Sequence, residues 1–359
     1  MINVTKTFLP PLEEYTRYLE MLWDSRWVTN HGPLLKRLEG QLSEYLGCKY
    51  IRCVNNGTVA LQVAIKALAL KDEVITTPFS YVATSSSLAW EGCTPVFADI
   101  DSECLTLDPK KIEAMITGKT TGIVATHVYG NPCDVNAIQG IADRNGLKVI
   151  YDAAHCFGTR YANQSVMNYG QLSTLSFHAT KIFHTIEGGA IVSQDSELDS
   201  KVSSLMNFGH DGPDSFRVAG INGKQSEFHA AMGLCLLPRM ADFISVRREL
   251  SNQYDSLLLG PSSSLVRPRI RENTEYNFAY YPIIFPTESI LLRVSEVLKG
   301  NGILPRRYFY PSLSTLNYVG KYNVPISDDI SSRVLCLPLY FELTPGLVEK
   351  ISKLVLSAL

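Results

Sequence analysis

Short apolar runs alternate with amphipathic stretches through the first two thirds of the chain. Several runs rich in β-branched residues end in polar or turn residues, namely EVITTP, TPVFADID, TGIVATHVYG, LKVIYDAAH, STLSFHA and GGAIVS. Between them, VNNGTVALQVAIKALAL places Leu61, Ile65 and Leu68 at helical spacing, and DPKKIEAMI and DVNAIQGIADRNG are also helical in character. Strands that alternate with helices predict an α/β fold with a mostly parallel sheet between helices.

The pattern changes after about residue 240. A charged helical stretch, FISVRRELSNQYDSLL, is followed by the strand-like AYYPIIF and by two more helical stretches, SILLRVSEVLKGNG and GLVEKISKLVLSAL. We therefore predict a large domain at residues 1–240 and a smaller α+β domain at residues 241–359. The first 30 residues are expected to form an arm or a first helix that packs on either domain.

Composition and charge exclude several classes of protein. Hydrophobic residues make up 45% of the 359 residues and the net charge is −2, so the chain is globular and has no overall attraction for nucleic acid or an anionic membrane.

No apolar run reaches the roughly 18 residues of a membrane span, and no signal-like segment begins the chain, so a cytoplasmic location is expected. The eight cysteines are scattered, which indicates reduced packing residues and no metal site.

Common catalytic motifs are missing from the sequence. No G-x-G-x-x-G follows a strand, and ITGKTTG fails as a phosphate-binding loop because Glu113 stands where its first glycine should be. Neither H-E-x-x-H nor G-x-S-x-G occurs. Any chemistry must therefore come from polar residues at the carboxyl ends of the predicted strands, where ligands of α/β sheets collect.

Two candidate groups lie at these strand ends. The segment NNGT places Gly57 and Thr58 at the start of a helix, where free amides favour a phosphate, although a simple helix cap is an alternative. Asp152 comes directly after the apolar strand in VIYDAAH. A carboxylate there either faces a cationic partner, such as a ring nitrogen or an arginine, or caps a helix.

The third candidate is Lys181 in SFHATKIFHTIEGGA. Its neighbours Phe177, Ile182 and Phe183 favour partial burial, which disfavours the charged ammonium and leaves a nucleophilic amine. A lysine that extends to the surface is the alternative. Taken together, helix-start amides, an acidic residue and a desolvated lysine are the groups that pyridoxal phosphate requires.

Seven segments in this order resemble the DegT/DnrJ/EryC1/StrS family of fold-type I pyridoxal-phosphate enzymes, which act mostly as nucleotide-sugar aminotransferases. They are NNGTVALQVAIKAL, DEVITTPFSYVAT, GCTPVFADID, THVYGNPCDV, YDAAHCFG, SFHATKIFHTIEGG and GINGKQSEFHAAMG. The resemblance implies pyridoxal phosphate as the cofactor. It also implies that Lys181 forms a Schiff base with the cofactor and carries the proton during transamination.

The resemblance assigns further cofactor contacts. Asp152 is expected to pair with the pyridine nitrogen, Tyr81 of FSYVAT to stack on the ring and His155 to reach the ring hydroxyl. The phosphate is expected to be held by Gly57, Thr58 and Ser176. Asn222 of GINGKQSE matches an asparagine that reaches the partner subunit's phosphate site, which implies a homodimer with shared active sites. Gln225 departs from the methionine that is common in the family at this position.

The substrate is suggested by a smaller resemblance. His178 in FHATK is similar to members that aminate C4 of a 4-keto-6-deoxy sugar, so a dTDP-linked acceptor and L-glutamate as donor are expected, with dTDP-4-amino-4,6-dideoxy-glucose as product. The segment PRRYFYP offers Arg306, Arg307 and Tyr308 for a diphosphate or sugar, or simply a solvated basic pair.

Three alternatives remain at this point. Members that act at C3 more often have FYPTKNLG-like segments. Sugar dehydratases of the same fold have histidine in place of the lysine, which argues against that activity here. A non-catalytic sensor that binds pyridoxal phosphate would need an added DNA-binding or partner-binding segment, and neither end of the sequence carries a basic helix-turn-helix extension.

Overall fold

Twelve α-helices and fourteen strands form in the computed structural model, which describes all of residues 1–359. The strands are β1 (Ile2–Asn3), β2 (Tyr50–Val54), β3 (Glu73–Thr76), β4 (Thr94–Phe97), β5 (Thr120–Thr126), β6 (Lys148–Asp152), β7 (Arg160–Tyr161), β8 (Gln164–Ser165), β9 (Leu172–Ser176), β10 (Gly189–Ser193), β11 (Thr274–Glu275), β12 (Tyr281–Ile284), β13 (Ile303–Leu304) and β14 (Val334–Leu337). The helices are α1 (Leu12–Ser25), α2 (Pro33–Leu46), α3 (Gly57–Ala67), α4 (Val82–Trp90), α5 (Pro109–Ile112), α6 (Val135–Asn145), α7 (Ser196–Leu205), α8 (Glu227–Leu236), α9 (Met240–Leu258), α10 (Glu288–Gly300), α11 (Pro325–Arg333) and α12 (Pro345–Ser357).

Seven strands form the central sheet in the order β2-β10-β9-β6-β5-β3-β4. Only β10 runs antiparallel to its neighbours, so the predicted mostly parallel sheet is confirmed. Both faces of the sheet are covered. In β10, for example, Ala190 and Val192 pack on the side of α2 and α8, whereas Ile191 packs on the side of α3 and α7. Burial on both faces explains why these strands are continuous apolar runs.

The polar residues that end the strands meet at one edge of the sheet. Thr126 at the end of β5 is in register with Asp152 at the end of β6, and Asp152 is in register with Thr174 of β9. The antiparallel β10 begins at this edge with Gly189, where an added Cβ would lie 2.7 Å from the backbone oxygen of Asn56. Glycine is therefore needed for β10 to pass against the start of α3.

The C-terminal part has its own core of 20 buried residues between Leu250 and Ala358. Its strands β12 and β14 pair antiparallel, and α9, α10 and α12 contribute to the same core. The boundary predicted at residues 240 and 241 falls at the beginning of α9 and stays a prediction. The N-terminal segment crosses it, because Ile2 pairs with Ile303 of β13. None of the helices combines the length and the apolar composition that crossing a membrane requires.

Candidate active site

A cavity of about 460 Å³ lies at the carboxyl edge of the central sheet. The sheet and its helices contribute most of the wall, and the C-terminal part closes one side with Tyr280, Arg306, Tyr308 and Phe309. Most of the residues predicted from the sequence line this one cavity: Gly57, Thr58, Tyr81, Asp152, His155, Ser176, His178, Lys181, Arg306 and Tyr308. They come from segments up to about 250 positions apart, so the fold has brought them together.

Lys181 lies in a tight loop between β9 and β10. Its backbone N–H donates to the His178 carbonyl at 2.8 Å, and the loop is closed by Phe177 N–H to the Gly188 carbonyl, also at 2.8 Å. The apolar neighbours Phe177 and Phe183 are fully buried and anchor the loop in the core. Burial lowers the pKa of Lys181 to about 8, against the opposing effect of the Asp152 charge. A substantial fraction of the amine is therefore neutral near physiological pH.

Asp152 is a buried carboxylate that forms no ion pair. Its Oδ2 accepts from the Thr84 hydroxyl at 2.7 Å, and its Oδ1 accepts from the Ala154 backbone N–H at 3.1 Å. Burial raises the pKa of Asp152, while these two hydrogen bonds and the charge of Lys181 oppose the rise. A buried carboxylate with donors but no cation suits a cationic partner supplied by a ligand.

His155 offers a defined donor to the cavity. Its Nδ1 accepts from the Tyr129 backbone N–H at 3.2 Å, so the ring proton of the neutral imidazole is on Nε2. That nitrogen lies 3.2 Å from the Tyr308 hydroxyl. Burial, with the charges of Lys181 and Arg306, holds the pKa of His155 well below its usual value and keeps the ring neutral.

The start of α3 forms the anion-binding end of the cavity. Asn56 caps the helix by accepting from the Val59 N–H at 2.8 Å, and the first amides of the helix have no partner within it. A Cβ at Gly57 would lie 2.9 Å from the Cβ of Ser176, so glycine lets the serine lie directly against the helix start. Helix-start amides beside a hydroxyl suit a phosphate group.

These groups fit pyridoxal phosphate. The helix start and Ser176 suit its phosphate, the unpaired carboxylate of Asp152 suits its protonated ring nitrogen, and Lys181 provides an amine of lowered pKa for its aldehyde. His155 provides an N–H for a ring oxygen, and the half-exposed ring of Tyr81 lies on the cavity wall.

The structure corrects the grouping of Arg307 with Arg306 and Tyr308. The Arg307 guanidinium donates to Glu288 at 2.5 Å and to the Ser332 carbonyl at 2.7 Å, and it does not line the cavity. Arg306 faces the cavity and forms no ion pair; its guanidinium lies 4.3 Å from the centre of the Tyr308 ring. Neighbouring residues of an extended segment point to opposite sides, so only one of the two reaches the cavity.

Asn222 does not line the cavity of its own chain. It is exposed and forms an isolated bridge with Asn207, so its predicted contact with a partner subunit stays a prediction. His178 is exposed at the cavity mouth, where its Nε2 lies 3.5 Å from Glu187.

Several residues at the cavity were not predicted from the sequence. Ser80, Thr126, Glu187 and Tyr280 line the cavity, and the Thr84 hydroxyl donates a hydrogen bond to Asp152. Glu187 had a usable signal, because it is the acidic residue six positions after Lys181. Thr84 had none, because 68 positions separate it from Asp152 in the sequence.

Comparison with known proteins agrees with this fold and site. The family model for DegT/DnrJ/EryC1/StrS aminotransferases matches residues 12–356. A dTDP-4-amino-4,6-dideoxy-D-glucose transaminase of Shigella dysenteriae is 45% identical over 357 residues, which cover 98% of this chain and 97% of that protein. A second transaminase of the same name, from Escherichia coli, is 42% identical over 366 residues, which cover 99% of this chain and 98% of that protein. Among solved structures, that of DesI in the presence of its TDP-sugar product superposes on this chain with a TM-score of 0.94. The two sequences are 31% identical, and the match covers 99% of this chain and 93% of that chain.

The fold and the cavity therefore define an aminotransferase that uses pyridoxal phosphate. The chain belongs to the DegT/DnrJ/EryC1/StrS aminotransferase family. The family, the fold class, the enzymatic nature and the cofactor expected from the sequence are thereby confirmed.

Proposed function

We propose that the enzyme transfers the amino group of L-glutamate to C4 of dTDP-4-dehydro-6-deoxy-D-glucose. The products are dTDP-4-amino-4,6-dideoxy-D-glucose and 2-oxoglutarate. The observation that carries this proposal is the 45% identity, over 98% of the chain, with a transaminase named for that product. His178, the residue that resembled the C4 members, lines the cavity and is exposed, which suits a residue that contacts the acceptor sugar.

Lys181 is the base and acid of the proposed reaction. Pyridoxal phosphate, when bound, supplies an electron sink for the carbon that loses a proton. Lys181 Nζ takes that proton and returns it at the next carbon, a role that suits an amine whose pKa is about 8. Asp152, held by Thr84, would offer a negative charge to the cofactor's ring nitrogen, and the neutral His155 would offer its Nε2–H to the ring hydroxyl.

Arg306 is proposed to bind the anionic part of a substrate. Its guanidinium has no carboxylate partner in the chain, in contrast to Arg307, which pairs with Glu288. Stacking on Tyr308 restricts its orientation and leaves its N–H groups available for a carboxylate or a diphosphate.

We also propose a homodimer in which Asn222 completes the phosphate site of the partner subunit. Two exposed apolar residues lie beside Asn222: Ile221 precedes it and is 45% exposed, and Phe208, which follows its bridge partner Asn207, is 48% exposed. Subunit mixing tests this arrangement. Lys181→Ala and Asn222→Ala chains, each impaired alone, should regain roughly a quarter of the wild-type sites when mixed, because half of the dimers then have one intact site. Activity that does not rise on mixing would contradict shared sites.

The acceptor is tested by NMR of the product formed from pyridoxal phosphate, L-glutamate and dTDP-4-dehydro-6-deoxy-D-glucose. An amine at C4, together with 2-oxoglutarate, is the expected result. The matched control omits the sugar and should give only a single turnover of glutamate. An amine at C3 of a 3-keto substrate, or no amino sugar from the C4 ketone, would overturn the proposed acceptor and leave the cofactor chemistry intact.

A further inference from the structure

Asp152 lies at the end of a line of three buried hydroxyls. Thr84 Oγ1 is 2.7 Å from Asp152 Oδ2, Ser80 Oγ is 2.8 Å from Thr84 Oγ1, and Thr126 Oγ1 is 3.0 Å from Ser80 Oγ. All four side chains are buried, and the hydroxyls form no other hydrogen bond within the chain. Within the chain the line therefore ends on the carboxylate, and its members Ser80 and Thr126 also border the cavity.

The line crosses three neighbouring strands of the central sheet. Asp152 ends β6 and Thr126 ends the adjacent β5, while Ser80 lies in the turn that follows β3, the next strand. Thr84 belongs to the first turn of α4, which begins directly after Tyr81 on the cavity wall. The sheet order therefore aligns hydroxyls that are 46 and 68 residues from their partners in sequence.

Donor counting gives the line a direction. An ionised carboxylate only accepts, so the single proton of Thr84 is used on Asp152. Ser80 must then donate to Thr84, and Thr126 must donate to Ser80. Every hydroxyl dipole points toward the carboxylate, an arrangement in which hydrogen bonds strengthen one another and favour the charged form.

We propose that Thr84, supported by Ser80 and Thr126, is a positioning residue that holds Asp152 ionised and aimed at the cofactor's ring nitrogen. This inference rests on the proposed role of Asp152. The titratable groups that face Asp152 are Lys181, Cys156 and Tyr308, and only Lys181 carries charge near neutral pH. Thr84 thus supplies a neutral donor that leaves the negative charge of Asp152 available to the ring.

The test compares Thr84→Val, which keeps the shape and removes the hydroxyl, with Thr84→Ser, which keeps the hydroxyl. Thr84→Val should weaken pyridoxal phosphate binding to the apoenzyme about tenfold and lower kcat about 10- to 100-fold, with substrate KM within about twofold. The acid limb of the kcat profile should move up by about one pH unit, because Asp152 without its donor takes a proton at higher pH. Thr84→Ser should keep the cofactor affinity, the kcat and the acid limb of the pH profile near their wild-type values.

Ser80→Ala provides a second variant if Thr84→Val does not fold. It should change the same quantities in the same direction by a smaller factor, because one hydroxyl still contacts Asp152 directly. Melting of each apoenzyme separates a folding defect from a site effect. Equal behaviour of the Thr84→Val and Thr84→Ser enzymes, or an altered KM with an unmoved pH profile, would overturn the inference.

Asp152→Asn distinguishes failure of this inference from failure of the proposed function. If Asp152→Asn loses activity while Thr84→Val retains wild-type kinetics, cofactor affinity and pH profile, the hydroxyl line has no positioning role. If Asp152→Asn itself retains wild-type activity and cofactor affinity, the proposed role of Asp152 fails, and the inference fails with it. The NMR test of the sugar product is independent of both outcomes.

Discussion

The two sides of the cavity differ in how completely their polar groups are paired. On the sheet side, Asp152 and Thr84 are buried and held by several hydrogen bonds. On the mouth side, Arg306 has no acidic partner, and His178 and Glu187 are exposed with one loose contact between them. The sheet side is organised before any ligand arrives, whereas the mouth side has polar groups that a substrate can still engage.

This difference has an energetic basis. Unpaired polar groups are costly in the interior, so the buried side must satisfy its donors and acceptors within the chain or with a permanent ligand. Near solvent the cost is small, because water pairs the exposed groups until a substrate displaces it. We therefore expect changes on the sheet side to affect turnover and changes at the mouth to affect substrate affinity.

The largest effect should follow from Lys181→Ala, which removes the reacting amine from the sheet side of the cavity. Loss of the proton carrier should lower turnover by about 10⁴-fold or more while the protein stays folded. Release of 2-oxoglutarate measures turnover, and thermal melting checks the fold. The matched control is Lys299→Ala on the exposed end of α10, which should behave as wild type. Substantial transamination by the Lys181→Ala enzyme would refute the assignment.

At the mouth, Arg306→Ala should raise the KM of an anionic substrate about 10- to 100-fold. Cofactor content should stay unchanged, whereas the pKa of Lys181 should rise, because the Arg306 charge lowers it. Arg307→Ala is the neighbouring control: it loses the contact with Glu288, destabilises the fold by about 1 kcal/mol and leaves KM unchanged. Equal KM values for the two variants would show that the distinction between the arginines is wrong.

The pH dependence of cofactor capture probes the sheet side without any substrate. Burial lowers the pKa of Lys181 to about 8, and only the neutral amine attacks the aldehyde of pyridoxal phosphate. The capture rate should rise about tenfold per pH unit below that pKa and level off above it. Stopped-flow absorbance of apoenzyme mixed with the cofactor measures the rate. A capture rate that still rises about tenfold per unit above pH 9 would contradict the lowered pKa, and a rate that is constant between pH 6 and 9 would contradict a value of about 8.

The smallest effect is expected from Gln225→Met, which tests the packing beneath the lysine loop. The Gln225 amide donates to the Thr185 hydroxyl at 2.7 Å and to the Glu187 carbonyl at 3.1 Å, but its buried Oε1 has no partner. Methionine removes both hydrogen bonds and also removes the unpaired oxygen, so stability should change by no more than about 1 kcal/mol. Chemical denaturation measures the change, and a large loss of stability would show that the two donors dominate.

Much of the sheet side could be predicted from the sequence because its signals are local. An apolar run that ends in Asp152 and a lysine among Phe177, Ile182 and Phe183 already indicate a strand end and a buried amine. The hydroxyl line could not be predicted in the same way, because Thr84 contacts Asp152 and Thr126 contacts Ser80 only through the order of the strands.

The two arginines show a similar limit. They are adjacent in sequence, and their opposite directions depend on the bridge between Arg306 and Cys336.

The N-terminal segment ties the C-terminal part to the loop that carries the reactive lysine. Ile2 pairs with β13, the Val4 carbonyl accepts from the Leu339 N–H at 3.0 Å, and the Phe8 carbonyl accepts from His184 at 2.8 Å. For enzyme engineering, this makes the first residue a poor anchor for immobilisation, because tension applied there is passed along a few residues to the nucleophile. A flexible spacer, or attachment through an exposed helix such as α10, would leave the catalytic loop unloaded.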